Sequence, residues 1–448
     1  MFLRQLEPRT ARTTSEVLNF ALWPFAVMTM LHQVFVEATN FNVTDDFAPV
    51  YKASLAFLHG RPMYNENFDL VDPHYLYPPG ATFFIAPLAY IDPMHSKWCF
   101  VALNVVAIIV AWYLLLKLFK LSIKSYAAPL TLLLMFASET VINTLAFGNV
   151  NGCIMLAEVV FIALLIKRRD LWAGVVIGLA ITVKPNIAPV LLIPLMRRQW
   201  KVFIPALGVP IALTAAGAAV IKDPMDYLHR TFPYSIQARD YFNSSIPGSA
   251  AYWGLPSPLI WGIRIGMGVL VLITLWLLYR YYRNDELFFI CTSSGVLLTA
   301  GFLVTGLGQQ YYSMLLFPFL MTVVLRNSVL RNWPAWLAIF GFTTYDKWLL
   351  DHWQSLGRDL DYLRVTFGWG LLLIVTFCVL GDRYLAARRE GRLDSGIDPP
   401  FLLPDAAAAA RPTGRKTAAD PVRAGDPSAT TPETTAPEEN AAEATALR

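Results

Sequence analysis

Apolar residues run along this chain in blocks of about fifteen to twenty-five, separated by short polar segments, and that rhythm predicts a bundle of membrane helices. Blocks at 17–37, 97–118, 127–146, 150–166, 202–221, 258–279, 286–305, 311–325, 333–349 and 362–380 each read as a crossing. Two stretches break the rhythm. PGATFFIAPLAYIDP at 79–93 is apolar but shorter than the roughly 20 residues a helix needs to cross, which predicts a re-entrant or interfacial segment. Residues 171–184 and 186–196 form a short outward and inward pair around Lys184-Pro185-Asn186. The proline stops the helix and frees backbone groups at membrane depth, which is tolerable where they line a cavity. The expected fold is an all-α polytopic membrane protein with about twelve crossings, or ten if the short hairpin is not counted.

The charges fix a direction for this pattern. Arg4, Arg9 and Arg12 precede the first block, and Lys117, Lys120, Lys124, the KRRD run at 167–170, then Arg197, Arg198 and Lys201 fall between later ones. Cytoplasmic loops collect Lys and Arg, so both termini are expected in the cytoplasm of a plasma-membrane protein, with loops 39–78 and 222–257 outside. The start, MFLRQLEPRTARTTSEV, has no short apolar core followed by a small-residue cleavage site, so the first block is expected to stay as an anchor. Beyond Arg392 the chain turns to Ala, Pro, Thr, Asp and Glu. Such a segment cannot bury enough apolar area to offset ordering. The expected organisation is therefore a cytoplasmic 1–16, a membrane unit at 17–392 and a disordered cytoplasmic tail at 393–448.

Composition removes several function classes. Of 448 residues, 56% are hydrophobic and 15% charged, and the net charge of +4 is too small to imply a nucleic-acid partner. Cys99, Cys153, Cys291 and Cys378 lie in or beside apolar blocks with no metal-ligand spacing, so neither zinc nor a disulfide is expected. GxSxG and GxxxxGK[ST] are missing, which leaves a soluble-substrate hydrolase or an ATP-driven pump without support.

The stretch from Asn42 to Pro79 carries the chemistry. It packs Asp45, Asp46, Lys52, Arg61, Asp69, Asp72 and His74 among Tyr51, Tyr64, Tyr75 and Tyr77, whose rings suit sugar faces while their hydroxyls bond. Phe47, Val50, Ala53, Ser54, Phe57 and Leu58 recur at helical spacing, which predicts a short amphipathic helix along the bilayer surface that starts at an Asp cap. Asp45 and Asp46 thus read equally as capping carboxylates and as a catalytic pair. As a Mg²⁺ or Mn²⁺ site they are a weak match. Lys184 reads either as a snorkelling lysine or as a cation for a phosphate. Asn149 and Asn151, in FGNVNG, suit both a turn and a site lining.

DDFAPVYKASLAFLHGRPMY, YLYPPGATFFIAPL at 75–88, GNVNGCIMLAEV at 148–159 and GLAITVKPNIAPVLLIPLMRR at 178–198 resemble, in order and spacing, the motifs of the GT-C glycosyltransferases of family 87. Within that family the whole chain is similar to an actinobacterial arabinofuranosyl-transferring branch. The resemblance implies the GT-C fold, interfacial helices in the first outer loop, and an inverting transfer of arabinofuranose from decaprenyl-phosphate arabinose to the 3-hydroxyl of cell-wall arabinan. It assigns the base to Asp46, with Asp45 second. Phosphate binding then falls to Lys184, with His229, Arg230 and Arg239 behind it, and the sugar and acceptor lining to Tyr51, Tyr77, Asn149, Asn151, Gln309, Gln310 and Tyr311. No cofactor is implied. A mannosyltransferase branch carries a histidine motif where this chain has TGLGQQYYSMLLFP, and the difference favours arabinose over mannose. A lipid-carrier transporter would suit the span count, but transporters commonly repeat a broken half, and the polar loop occurs once here. A scaffold would leave Asp46 and Lys184 without biochemical consequence.

Overall fold

The computed structural model describes residues 13–40, 46–70 and 73–399 of the chain. It is helical, with no strand among the described residues. The principal helices are α1 (Thr14–His32), α2 (Phe47–Leu58), α3 (Pro93–Leu118), α4 (Ala127–Phe136), α5 (Glu139–Ala146), α6 (Asn151–Ile166), α7 (Asp170–Val183), α8 (Phe203–Val220), α9 (Ile246–Trp253), α10 (Ser257–Tyr282), α11 (Glu286–Val304), α12 (Trp333–Thr343) and α13 (Gln354–Arg389). Among the described residues six segments are long and apolar enough to cross a membrane: Thr14–Glu37, Pro93–Leu118, Trp200–Val220, Ser257–Tyr282, Glu286–Val304 and Gln354–Arg389. A seventh is added if α4 and α5, bent by 54°, count as one span. The chain is a multi-pass membrane protein.

Local chemistry sets the ends of these elements. α1 opens on a capping box, with Thr13 accepting from the Glu16 amide and Glu16 accepting from the Thr13 amide. α5 closes on a Schellman motif: the Gly148 amide donates to Leu145 O and the Asn149 amide to Thr144 O, with Gly148 at φ +66°. The Asn149 side chain then accepts from the Asn151 amide and opens α6.

Three sequence expectations change in the structure. Residues 311–325 are not one helix but two short 3₁₀ segments, Gln310–Leu316 and Met321–Val324, around Phe317–Leu320. Pro318 lacks an amide to donate, and the surrounding protein buries this stretch, so its irregular backbone does not face lipid. The block at 333–349 is helical only to Thr343, whereas the last span starts at Gln354, before the expected 362. The chain also stays packed beyond Arg392: Leu393–Ser395 is a 3₁₀ turn, Ile397 is buried, and Asp398 accepts from Tyr282 and Arg383. The rest of the expected tail, from residue 400, lies outside the described residues.

The stretch at 79–93 and the chain at Lys184 both depart from long helix. Pro79–Ala81, Thr82–Ile85 and Ala86–Tyr90 are separate turns rather than a crossing helix, and α7 ends at Val183 before a 3₁₀ run, Pro185–Leu191. The Pro79–Gly80 turn wedges against α7 and α8. A Cβ on Gly80 would lie 2.7 Å from the Thr182 side chain, and one on Gly217 would lie 2.2 Å from Pro79 O.

Two ends of the bundle are distinguished by their polar contacts. At one, Arg168 and Arg197 share Glu286 at 2.9 and 2.6 Å, Gln199 donates to Asp170, and Asn327 donates to Asp285. The 19 residues of α11, about 28 Å at 1.5 Å per residue, separate this belt from the end that carries Gln309 to Tyr312. α2, the 79–90 turns and the π-helical turn at 227–231 gather into a small second core on Val50, Met63, Tyr64, Tyr75 and Ile85.

The wedge predicts a contrast on one helix. Gly217→Ala is expected to lower the thermal unfolding midpoint of the detergent-purified protein, at a cost of about 1–3 kcal/mol for overpacking. Gly208→Ala, where nothing lies within 4 Å, is expected to leave it unchanged or raised. Equal midpoints for the two variants would remove the wedge from the account.

Candidate functional site

The site is assembled where α2, α5, α6 and the break after α7 meet. The Phe47 amide donates to Phe147 O at 3.2 Å, which docks the start of α2 on the end of α5. The Phe47 ring also packs on Phe100 of α3, with centroids 5.6 Å apart. Together these hold the residue before it, Asp46, over the bundle. Asp46 occupies the cap position of α2 with helical backbone angles and makes no capping hydrogen bond. The expected Asp cap is therefore not formed by this residue, because at φ −66° and ψ −18° its side chain is not placed to reach the second or third amide. Asp45 lies outside the described residues.

Lys184 sits on the opposite wall. Its backbone, at φ −137° and ψ 86°, leaves the helical path where Pro185 ends α7. The Nζ donates to Asn151 Oδ1. It lies 4.2 Å from the ring centroid of Tyr312 and 5.3 Å from that of Tyr311, a cation held by two aromatic faces. This lysine does not snorkel towards a lipid surface.

Asp46 and Lys184 lie within electrostatic range of each other. The Tyr311 hydroxyl donates to Gln309 Oε1 and lies beside the Asp46 carboxylate. Asp46 also acts on Tyr77 and Tyr312. Burial, with the Asp46 charge second, pushes the Tyr77 hydroxyl well above its ordinary range, so it keeps its proton and can donate. One carboxylate, one ammonium and three phenols thus share one small polar space.

The amides hold that space in shape. Tyr311 O accepts from Thr140 Oγ1 at 2.9 Å and from Asn151 Nδ2 at 3.4 Å. Gln310 Oε1 accepts from Asn143 at 3.2 Å, and its Nε2 donates to Phe342 O at 2.8 Å, which leaves one amide proton unassigned. Asn149 and Asn151 are both buried, and Asn149 Nδ2 has no partner.

The remaining sequence candidates divide. Arg239 lies within range of Tyr312, donates to Tyr234 Oη at 2.6 Å and stacks 4.5 Å from that ring, with its Nε unpaired. It belongs to the rim of the site. Arg230 instead donates to Tyr64 O and Glu66 O at 3.2 and 2.9 Å and clamps the two long loops together. His229 is exposed on the same turn. Tyr51 turns its hydroxyl to Ile91 O at 2.8 Å and packs on Phe47, so it braces α2. Tyr312 was missed by sequence reasoning, although it adjoins Tyr311 in QQYY. Glu139, Asn143 and Arg364 were missed as well. The signal for Glu139 and Arg364 was an ionisable residue inside an otherwise apolar run.

The model of glycosyltransferase family 87 matches residues 75–306. The chain is 52% identical over 408 residues to an α-(1→3)-arabinofuranosyltransferase of Mycobacterium tuberculosis, covering 90% of this chain and 94% of that protein. It is 51% identical over 405 residues to one of Mycolicibacterium smegmatis, covering 89% and 94%, and 39% identical over 377 residues to one of Corynebacterium glutamicum, covering 83% and 88%.

If Asp46 and Lys184 share one site, their removal is not additive. A thermal-stability cycle of Asp46→Asn, Lys184→Met and the double variant is expected to show a coupling on the order of 0.5–3 kcal/mol. Additive effects would separate the two side chains.

Proposed function

The chain belongs to glycosyltransferase family 87, and on that premise we propose that it transfers arabinofuranose from decaprenyl-phosphate arabinose to the 3-hydroxyl of a cell-wall arabinan. The observation that carries the reading is the meeting of Asp46 and Lys184 across Tyr311 and Tyr312. It supplies one proton acceptor and one cation, which is what an inverting displacement from a lipid phosphate needs.

The acceptor hydroxyl attacks the anomeric carbon on the face opposite the phosphate. Its proton passes to the Asp46 carboxylate, while the electron pair of the breaking carbon–oxygen bond goes to the phosphate. A positioned carboxylate in this role contributes on the order of 10² to 10⁴ in rate. Negative charge grows on the departing phosphate, and Lys184, with Arg239 at the rim, stabilises it more in the transition state than in the ground state. Tyr77, Tyr311, Asn149, Asn151, Gln309 and Gln310 line the sugar and acceptor. The lipid phosphoester supplies the driving force, so no nucleotide takes part.

We place this site on the outer side of the plasma membrane and both termini in the cytoplasm. In support, the basic belt of Arg168 and Arg197 lies at the end of α11 away from the site, as the positive-inside rule favours.

Purified enzyme with decaprenyl-phosphate arabinose and a short arabinan tests the proposal. Wild type is expected to transfer arabinose, with or without EDTA, and Asp46→Asn to lose at least 10²-fold in kcat while keeping its expression and fold. Full transfer by Asp46→Asn would exclude it as the base. Transfer of mannose alone, from polyprenyl-phosphate mannose, would reassign the donor, and EDTA inactivation reversed by Mg²⁺ would introduce a metal.

A further inference from the structure

Away from the reacting groups, the described residues contain a buried ion pair that the transfer scheme does not use. Arg364 of α13 donates to Glu139 Oε2 at 2.6 Å, to Asp361 Oδ1 at 3.1 Å and to Thr344 O at 2.8 Å. The Arg364 and Glu139 side chains are 6% and 15% exposed. Removing two charges from water is costly, and an apolar pair of similar volume is often as stable or more so. Stability alone is therefore a poor reason for these residues.

Their place in the fold suggests another. Glu139 is the first residue of α5, just beyond the 54° bend from α4. α5 is only two turns long, and it touches both halves of the site. From its side chains, Thr140 donates to Tyr311 O and Asn143 donates to Gln310 Oε1. From its far end, Phe147 O receives the Phe47 amide, next to Asp46. Asn143 also donates to Glu139 Oε1 at 3.4 Å, so the ion pair, α5 and the Gln310–Tyr311 segment form one connected set of hydrogen bonds.

We propose that Glu139 and Arg364 are positioning residues for sugar transfer: pinned by Arg364, α5 sets the Tyr311 hydroxyl against the Asp46 carboxylate. This rests on the transfer reading above. α5 buries its apolar face in the bundle, and one charge-assisted contact from Arg364, whose other nitrogens are held by Asp361 and Thr344 O, ties its first residue to α13. A rotation there moves Tyr311 and Asp46 relative to each other. A displacement near 1 Å at a reacting group can cost on the order of 10²-fold in rate.

The test compares Glu139→Gln, Arg364→Met and the double variant with wild type. Glu139→Gln leaves Arg364 only Asp361 as counter-ion, Arg364→Met leaves Glu139 without one, and each is expected to lose about 10- to 100-fold in kcat, with the donor KM changed by less than about 3-fold. The double variant leaves no unpaired charge in the pair and is expected to regain the wild-type melting midpoint but not kcat. Recovery of kcat together with the midpoint would reduce the pair to a structural role. A readout independent of substrate separates failure of this inference from failure of the transfer reading. Tyr311→Phe is expected to shift the midpoint in the wild-type background and to shift it much less when Glu139→Gln is present. An equal shift in both backgrounds overturns the positioning role, even if wild type transfers neither arabinose nor mannose.

Discussion

A lysine at a helix break inside a membrane protein needs partners, and the way Lys184 finds them organises this molecule. Pro185 stops α7 where the Nζ can reach Asn151 at the start of α6 and the faces of Tyr311 and Tyr312. The cost of holding a cation in a poorly hydrated place is partly offset by a hydrogen bond, two aromatic quadrupoles and the Asp46 carboxylate. Each partner comes from a different part of the chain, so meeting that need brings α2, α6, α7 and the 310–316 segment to one point.

Irregular backbone is concentrated at this point. The turns at 79–90, the break at Lys184 and the 3₁₀ run at 310–316 leave backbone groups outside regular helical pairing. Away from lipid such groups can serve as anchors: Tyr311 O accepts two side-chain hydrogen bonds, and Phe147 O takes the amide that carries α2. Regular helices such as α3 and α11 form the frame, and the broken segments carry the polar groups of the site.

The two long loops are fastened to each other as well as to the frame. Arg230 binds two carbonyls of the first loop, Phe68 stacks on Tyr234 with centroids 4.3 Å apart, and Tyr64 packs on Tyr227 at 5.3 Å. The tyrosines that make the first loop conspicuous therefore do two jobs. Tyr77 faces the charge of Asp46, whereas Tyr51, Tyr64 and Tyr75 brace the loop.

The apolar blocks determined where most helices lie, because hydropathy and block length are local properties and the bilayer reads them directly. Pro185 and the GNVNG turn were legible for the same reason: a missing amide and a glycine at positive φ act on their own neighbours. The amphipathic spacing of α2 also stood in the sequence, as did Asp46 and Lys184 as candidate residues. Tertiary structure alone decided that the Asp46 side chain leaves the cap role, that Tyr51 braces α2 while Tyr312 holds the lysine, and that Glu139 pairs with Arg364, 225 positions away. Such choices depend on which distant groups come within about 3–4 Å once the helices pack, and hydropathy, spacing and turn chemistry carry no record of that distance.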